Sequence, residues 1–162
     1  MKSKIGQGID VHQLVTGTPL IIGGVSIPYS KGSKGYSDGD VLYHAIVDAI
    51  LGALALGDIG QHFPSDDKQW KNSHSRIFLK HAQHLIQEKG YKVGNIDATV
   101  IIQEPKLNSY ISKMRKNIAS VLSISIDAVS VKATTTDHLG FTGIGEGIIA
   151  IAVVLLTVTD GT

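Results

Sequence analysis

Residues 147–159 read GIIAIAVVLLTVT, a nearly continuous run of β-branched and aliphatic side chains. This composition predicts a strand, and the lack of alternation with polar residues is typical of a strand buried on both faces. The whole chain has only 162 residues, the size of one domain. Together, the long apolar strand and the small size suggest an α+β domain that buries one sheet face in an oligomer.

Turn residues and apolar spacing divide the rest of the chain into further strands and helices. Strands are predicted at residues 4–12, 20–22, 95–103 and 128–135, and helices at residues 41–56, 73–89 and 107–122. Residues 25–40 and 58–72 are expected to be loops, and Gly57 is expected to end the first helix. The pattern predicts a single domain over residues 1–162, with four or five strands and three helices.

The composition excludes several classes of protein. Lys plus Arg number 15 and Asp plus Glu 14, and aromatic residues make up 6%, so neither nucleic acid nor a membrane is an expected partner. There is no cysteine, so a metal site would have to use oxygen and nitrogen ligands. No signal peptide is visible after Met1, and the longest apolar run is about half as long as a membrane-spanning helix. We therefore expect a soluble, cytoplasmic protein.

Three residues near the N-terminus have the chemistry of metal ligands. Asp10 and His12 are two apart on a predicted strand, so their side chains share a face. His44 follows the polar residues 38–40 by one helical turn and could close on a cation from the helix. Three such ligands leave one position open on a four-coordinate zinc, as catalytic sites do. The spacing alone also fits a capping Asp, a surface His and a buried His that are unrelated to one another.

Residues 35–39, Gly-Tyr-Ser-Asp-Gly, formally match the G-x-S-x-G elbow of serine hydrolases. That elbow requires a buried strand before it, and residues 28–34 make a poor strand. We therefore expect Ser37 and Asp38 to cap the following helix, where the loop amides could hold an anion.

Two other segments carry polar side chains suited to phosphates or hydroxyl groups. Residues 134–137, Thr-Thr-Thr-Asp, follow a strand and fit a phosphate with a hard cation, although they equally fit an ordinary turn. Asp58 and the pair Asp66 and Asp67 flank Phe63 and Pro64. Their carboxylates could bind a diol or form a solvated acidic loop.

The order of these motifs resembles one known family. The motifs are Gly8 to His12, Ser37 to Val41, His44, Leu56 to Gly60, Phe63-Pro64, Pro105-Lys106, Val131 to Thr136, Leu139 to Gly143, and Gly145 to Gly147. In this order they closely resemble the 2-C-methyl-D-erythritol 2,4-cyclodiphosphate synthase family of the non-mevalonate isoprenoid pathway. The resemblance extends from about residue 4 to residue 157.

The resemblance implies an activity, cofactors and an assembly. The substrate would be 4-diphosphocytidyl-2-C-methyl-D-erythritol 2-phosphate, whose 2-phosphate attacks the β-phosphorus to give the cyclic diphosphate and CMP. Asp10, His12 and His44 would hold Zn²⁺, and Asp137 would help to hold Mg²⁺ or Mn²⁺. The chain would form a homotrimer with active sites at the subunit interfaces. The implied fold is α+β, with a four- to five-stranded sheet, three helices on one face and a trimer assembled around the sheets.

The same resemblance implies roles for further residues. Tyr36, Ser37 and Thr135 would contact phosphate in the transition state. The erythritol end of the substrate would be held by Asp58, Ile59, Gly60, Phe63, Pro64, Ser65, Asp66 and Asp67. The cytidine and phosphate pocket, from the neighbouring subunit, would comprise Ile102, Gln103, Glu104, Pro105, Lys106, Leu107, Asn108, Thr134 and Thr136. Phe141 and Ile144 complete the implied substrate-binding set.

Three residues depart from the family pattern. Tyr36 stands where a His is usual, so a charge-assisted phosphate contact is lost although a hydroxyl donor remains. Asp137 stands where a Glu is usual, which shortens the reach to the second cation. Ile144 replaces an Arg near the trimer axis, where relatives can bind an isoprenoid diphosphate, and we do not expect this chain to bind one.

Two other functions are compatible with the same residues. One is a hydrolase that uses the zinc to activate water on a phosphoester. The other is a non-catalytic trimer that binds a nucleotide or an isoprenoid diphosphate. The intact set Asp10, His12 and His44 argues against the second.

Overall fold

The computed structural model describes residues 3–159. Its strands are β1 (Ser3–Thr16), β2 (Leu20–Ile22), β3 (Val25–Ile27), β4 (Lys31–Ser33), β5 (Tyr91–Ile101), β6 (Val129–Thr134) and β7 (Gly147–Val158). Its α-helices are α1 (Val41–Leu54), α2 (Ile59–His62), α3 (Arg76–Glu88), α4 (Ile111–Leu122) and α5 (Gly140–Gly143), with short 3-10 helices at Lys68–Trp70 and Ile126–Ala128. The two ends of the predicted domain, with Met1 at one of them, lie outside the described residues.

A five-stranded sheet with the order β4-β1-β7-β5-β6 forms the centre of the fold, and β2 and β3 form a separate hairpin. β7 pairs antiparallel with β1, from Ser3 opposite Thr157 to Gln13 opposite Gly147. It also pairs antiparallel with β5, and β5 pairs in parallel with β6. The predicted α+β class is confirmed, and the sheet has five strands where four or five were predicted.

The three long helices cover one face of this sheet. α1 packs on β1 and β7, α3 packs on α1 and β5, and α4 packs on β6. The facing side chains of β7 are completely buried; they are Ile148, Ala150, Ala152, Val154 and Leu156. Close approach of α1 requires glycine in β1, because a Cβ on Gly8 would lie 2.0 Å from the carbonyl oxygen of Ala45.

On the opposite face of the sheet, β1 and β7 carry apolar side chains that one chain by itself leaves exposed. Burial of both faces of β7 was predicted for an oligomer and stays a prediction. Ile5, Ile9 and Val11 of β1 are 72%, 53% and 50% exposed, and Val153 of β7 is 40% exposed. We call these four residues the apolar sheet face. In one chain, the apolar residues of β7 therefore face two environments, the helices on one side and the surface of the chain on the other.

Two predicted loops contain regular structure. Residues 25–40 include β3 and β4, because β3 folds back on β2 through Gly23 and Gly24, both at positive φ, and β4 pairs with the end of β1. Residues 58–72 include α2 and a 3-10 helix, whose first turns are capped by Asp58 and Asp67.

The helices start or stop at residues other than those predicted. Ala55, in the left-handed conformation at φ 57°, ends α1, so Gly57 is not its C-cap. α3 and α4 begin at Arg76 and Ile111, three and four residues later than expected. No helix among residues 3–159 is long and apolar enough to span a membrane.

Candidate active site

Asp10, His12 and His44 meet where α1 lies against β1. Asp10 and His12 continue the face of β1 that carries Gly8, and His44 precedes Ala45, the residue that packs on Gly8. Asp10 Oδ2 lies 2.8 Å from His12 Nε2 and 3.0 Å from His44 Nδ1, and the two nitrogens are 3.2 Å apart. Among residues 3–159 this is the one group of three or more His, Asp or Glu side chains arranged to hold a metal ion.

The donor set fits a divalent cation such as zinc, for which imidazole nitrogens and a carboxylate oxygen are usual ligands. A hydrogen bond orients the imidazole ring of His12, since its Nδ1 donates to the carbonyl oxygen of Lys34 at 2.9 Å. That hydrogen bond leaves the lone pair of Nε2 directed at the other two ligands when His12 is neutral.

The charges of the cluster are strongly coupled. Burial would raise the pKa of Asp10, but its hydrogen bonds to His12 and His44 and their charges hold it at about 2. Burial would lower the pKa of His12, but the hydrogen bond and charge of Asp10 outweigh burial and raise it. Asp10 is therefore ionised at neutral pH, and in the absence of a metal a proton is stabilised on His12.

A cavity of about 610 Å³ opens beside the metal-ligand cluster. Tyr36 and Ser37 line it next to His12 and His44. Its other walls come from Ile59, Gly60, Phe63, Pro64, Ser65, Asp66, Trp70 and Phe78. The ring of Phe63 packs on Phe78, with 4.4 Å between centroids, and meets the edge of Trp70. The cavity thus combines an apolar wall with polar groups at one end, as small-molecule sites do.

Asp58 and Asp67 lie beside this cavity and do not line it. Asp58 accepts from the backbone N–H of Gln61 at 3.0 Å, and Asp67 accepts from that of Gln69 at 3.1 Å. Both carboxylates therefore cap the short helices that shape the cavity wall.

A second, smaller cavity of about 110 Å³ lies at the carboxyl ends of the parallel strands β5 and β6. Its lining includes Ile102, Gln103, Pro105, Lys106, Leu107, Asn108, Thr134 and Thr135, but not Glu104 or Thr136. Thr136 instead donates through Oγ1 to the carbonyl oxygen of Leu139 at 2.6 Å. The two cavities share no lining residue, so the structure divides the predicted site residues between two places on one chain.

Asp137, Phe141 and Ile144 also line neither of these two cavities. Asp137 adopts a positive φ of 53°, its N–H donates to Thr135 Oγ1 at 3.2 Å, and its carboxylate is not part of the metal-ligand cluster. Phe141 in α5 and Ile144 just after it are 45% and 64% exposed.

The prediction that Ser37 and Asp38 cap α1 is wrong. Asp40 is the N-cap, and its buried carboxylate accepts from the backbone N–H groups of Tyr43, Gly23 and Gly24. Two N–H groups from the turn between β2 and β3 and one from the first turn of α1 thus hold the carboxylate of Asp40 in place. The elbow motif is also not formed, since β4 before it has only three residues and α1 begins at Val41.

The sequence did not reveal two polar residues that contact this site. Ser75 is completely buried and places Oγ 2.7 Å from His44 Nε2. Asp48 accepts from the backbone N–H of Ile59 at 2.7 Å and so joins α1 to the cavity wall. Neither belongs to a recognisable local motif, because each acts on a residue distant in sequence.

Comparisons with known proteins agree over nearly the whole chain. The model of the YgbB family matches residues 3–157. The 2-C-methyl-D-erythritol 2,4-cyclodiphosphate synthase of Geobacter metallireducens is 58% identical over 153 residues, 94% of this chain and 98% of that protein. The synthase of the same name from Bacillus subtilis is 56% identical over 153 residues, 94% and 97% of the two chains. The solved structure of Plasmodium falciparum IspF, a CDP complex, has a TM-score of 0.87 at 40% identity and covers 98% of this chain and 97% of that one.

Proposed function

This chain belongs to the YgbB family, and from that membership we propose that it is an enzyme of isoprenoid biosynthesis. It converts 4-diphosphocytidyl-2-C-methyl-D-erythritol 2-phosphate to 2-C-methyl-D-erythritol 2,4-cyclodiphosphate and CMP. The observation that carries the proposal is the convergence of Asp10, His12 and His44 beside a cavity, in a chain 58% identical to a synthase of that name. The proposal includes a cytoplasmic location, in keeping with a charged, nucleotide-linked substrate.

The proposed cofactors are Zn²⁺, held by Asp10, His12 and His44, and Mg²⁺ or Mn²⁺, held with the help of Asp137. Support for the first comes from the mixed nitrogen and oxygen donors, which lie within 4.8 Å of one another. When bound, such cations supply positive charge that orients the reacting phosphates and favours departure of CMP.

Little covalent chemistry is left to the protein, because the 2-phosphate of the substrate is itself the nucleophile. One phosphate oxygen forms a bond to the β-phosphorus, and the bond from that phosphorus to the oxygen of CMP breaks. The protein has to position the two phosphates and spread their charge. We assign this work to the hydroxyl groups of Tyr36 and Ser37, which line the cavity beside both histidines, and to Thr135.

The wall from Ile59 to Asp66 is proposed to hold the erythritol end of the substrate. Asp66 supplies a carboxylate to this wall, while Phe63, Trp70 and Phe78 make one side apolar and limit access of water. Asp58 and Asp67, which cap the adjacent short helices, complete this part of the proposed site.

We further propose a homotrimer with active sites shared between subunits. Residues Ile102 to Asn108 and Thr134 to Thr136 would contribute the cytidine and phosphate pocket from a neighbouring subunit. Two observations support this arrangement: the two cavities of one chain are separate, and the apolar sheet face is uncovered. The same arrangement would give Phe141 and Ile144, exposed in one chain, neighbours near the trimer axis.

The test is to incubate the purified protein with the substrate, Zn²⁺ and Mg²⁺, and to follow the products by phosphorus NMR. We expect the cyclic diphosphate and CMP in equal amounts. Linear phosphate products would instead show a hydrolase, and no turnover of the substrate would favour a binding protein. His44→Ala should abolish the reaction, whereas His84→Ala should not, because His84 is exposed and pairs with Glu88 one helical turn away.

A further inference from the structure

We propose that Ser75, backed by Asp38, is a positioning residue that fixes the tautomer of His44 so that Nδ1 is the metal-binding nitrogen. The proposal rests on the metal site proposed above. Ser75 is completely buried, and its Oγ lies 2.7 Å from His44 Nε2 and in direct contact with Asp38 Oδ1. It therefore stands between a metal ligand and a carboxylate.

Counting hydrogens gives this chain of contacts a direction. An ionised carboxylate can only accept hydrogen bonds, and a serine hydroxyl has a single hydrogen to donate. Asp38 Oδ1 therefore takes the hydrogen of Ser75 Oγ, and Asp38 Oδ2 accepts from the backbone N–H of Ser75 at 3.0 Å. With its hydrogen committed, Ser75 can only accept from His44, so Nε2 of His44 must carry a proton.

The consequence appears on the other side of the imidazole ring. A neutral histidine carries one N–H, so a proton on Nε2 leaves a lone pair on Nδ1. This Nδ1 is the atom 3.0 Å from Asp10 Oδ2 and 3.2 Å from His12 Nε2. A cation placed among Asp10 Oδ2, His12 Nε2 and His44 Nδ1 would accept a lone pair from each of the three atoms. Ser75 and Asp38 thus act for His44 as the carbonyl group of Lys34 acts for His12.

The hydroxyl group of Ser75 also lies 3.4 Å from Ser37 Oγ, and it does not serve as a helix cap. Ser75 occupies the N-cap position of α3, but its side chain makes no capping hydrogen bond there. Asp38 is held in place by its own backbone N–H, which donates to the carbonyl oxygen of Ser73 at 3.0 Å. Ser37 Oγ lies farther from His44 Nε2, at 3.3 Å, and lines the cavity.

The proposal predicts that Ser75→Ala weakens zinc binding while the helix remains intact. We expect the zinc dissociation constant, measured by competition with a chromogenic chelator, to rise by about 10- to 100-fold, as for other residues that orient a metal ligand. Asp38→Asn should also raise the zinc dissociation constant. Ser75→Thr keeps the hydroxyl group and should bind zinc more tightly than Ser75→Ala does. Ser73→Ala is the matched control, since its hydroxyl donates to the carbonyl oxygen of Gln69 at 3.3 Å, and this variant should bind zinc like the unmodified protein.

A second measurement reads the tautomer directly. In the zinc-loaded protein labelled with ¹⁵N-histidine, NMR should show a proton on His44 Nε2 that exchanges slowly with water. In Ser75→Ala that proton should exchange rapidly, an effect that a general loss of stability in a folded variant would not produce. Circular dichroism verifies folding, and if Ser75→Ala does not fold, Asp38→Asn decides the question.

The outcomes separate this proposal from the metal site itself. If His44→Ala binds zinc as tightly as the unmodified protein, both the metal site and the role of Ser75 are wrong. If His44→Ala loses zinc but folded Ser75→Ala keeps full affinity and a protected Nε2 proton, only the role of Ser75 is wrong.

Discussion

The behaviour of the metal-ligand cluster follows from a single oxygen atom. Oδ2 of Asp10 contacts both His12 Nε2 and His44 Nδ1, so one negative charge is shared by two imidazole rings. With a pKa of about 2, Asp10 is ionised throughout the physiological range. His12, whose pKa is raised, holds a proton more tightly than a free histidine does. A metal ion therefore competes with a proton for His12.

Zinc affinity is predicted to increase with pH. Below the raised pKa of His12 each binding event releases one proton, so the dissociation constant should fall by about tenfold per pH unit. Above that pKa no proton is released from His12, and the affinity should become constant. Chelator competition from about pH 5 to about pH 8 covers the range in which histidine titrates. A dissociation constant that does not vary over this range would exclude His12 as a ligand.

The residues of the site could be predicted from the sequence only where strand or motif geometry places them. Asp10 and His12 share a face because they are two apart on β1, and their order with His44 resembles a known family. Ser75 and Asp48 could not be found in this way, because their partners, His44 and Ile59, become neighbours only through packing of α1 with other segments.

At the scale of elements, the distance between α1 and β1 decides whether the ligands meet. Gly8 lies under Ala45, the residue after His44, and a methyl group there would lie 2.0 Å from a backbone oxygen. Gly8→Ala should therefore push α1 away from β1, reducing the free energy of unfolding by about 1–3 kcal/mol and weakening zinc binding.

Gly52→Ala, in α1, is the matched control for Gly8→Ala. Its added methyl group would come no closer than 3.9 Å to the carbonyl oxygen of Gln7, so it should leave stability unchanged or raise it by up to about 1 kcal/mol through helix propensity. Urea denaturation of both variants measures the difference. Equal free energies of unfolding for the two variants would show that α1 can shift away from position 8 at little cost.

The wall of the larger cavity depends on a contact between α1 and α2. Asp48 in α1 is half-buried, and its carboxylate accepts from the N–H of Ile59, the first residue of α2. Asp48→Ala should leave that N–H unpaired and loosen the wall, raising KM by about tenfold, the equivalent of one hydrogen bond to a charged group. The value of kcat should change less, since Asp48 does not line the cavity.

Steady-state kinetics with Asp127→Ala as a surface control test this expectation. An Asp48→Ala enzyme whose kcat falls while its KM is unchanged would place Asp48 in the chemical step instead.

Long elements could be predicted from the sequence, and short ones could not. β7, α1 and the other long elements have apolar patterns that identify them within a few residues. β3 and β4 have three residues each. They form strands because β3 pairs with β2 and β4 pairs with the end of β1. The local sequence of such segments carries too little pattern to distinguish a strand from a loop.

At the scale of the whole molecule, the apolar sheet face is the main feature that one chain leaves uncovered. We predict that the protein has three times the 17.2 kDa mass of one chain in light scattering. Val153→Lys should reduce that mass, because a charge would be buried between subunits. Ile77→Lys in α3 starts from similar exposure, 42% against 40%, and should leave the mass unchanged. A Val153→Lys protein of full assembled mass would place the subunit contact elsewhere.

Shared active sites make a further prediction. His44→Ala and Lys106→Ala proteins should each be inactive or nearly so, since each lacks one part of every site. Unfolding and refolding them together should restore about a quarter of the activity, because at random half of the subunits supply each intact part. Recovery of no activity from a mixture that assembles normally would show that both residues act within one chain.

The position of β7 has a consequence for how the protein is made. It is the last strand along the described chain, yet it lies in the middle of the sheet, and its pairing with β1 joins Ser3 to Thr157. While the chain is still on the ribosome, β1 emerges before β7, the strand with which it pairs. The segment of α1 then has no complete sheet on which to pack. Contacts so distant in sequence form slowly, and unpaired apolar strands favour aggregation. Folding must therefore wait until translation has passed β7, and a nascent chain stopped before Gly147 should depend on chaperones to stay in solution.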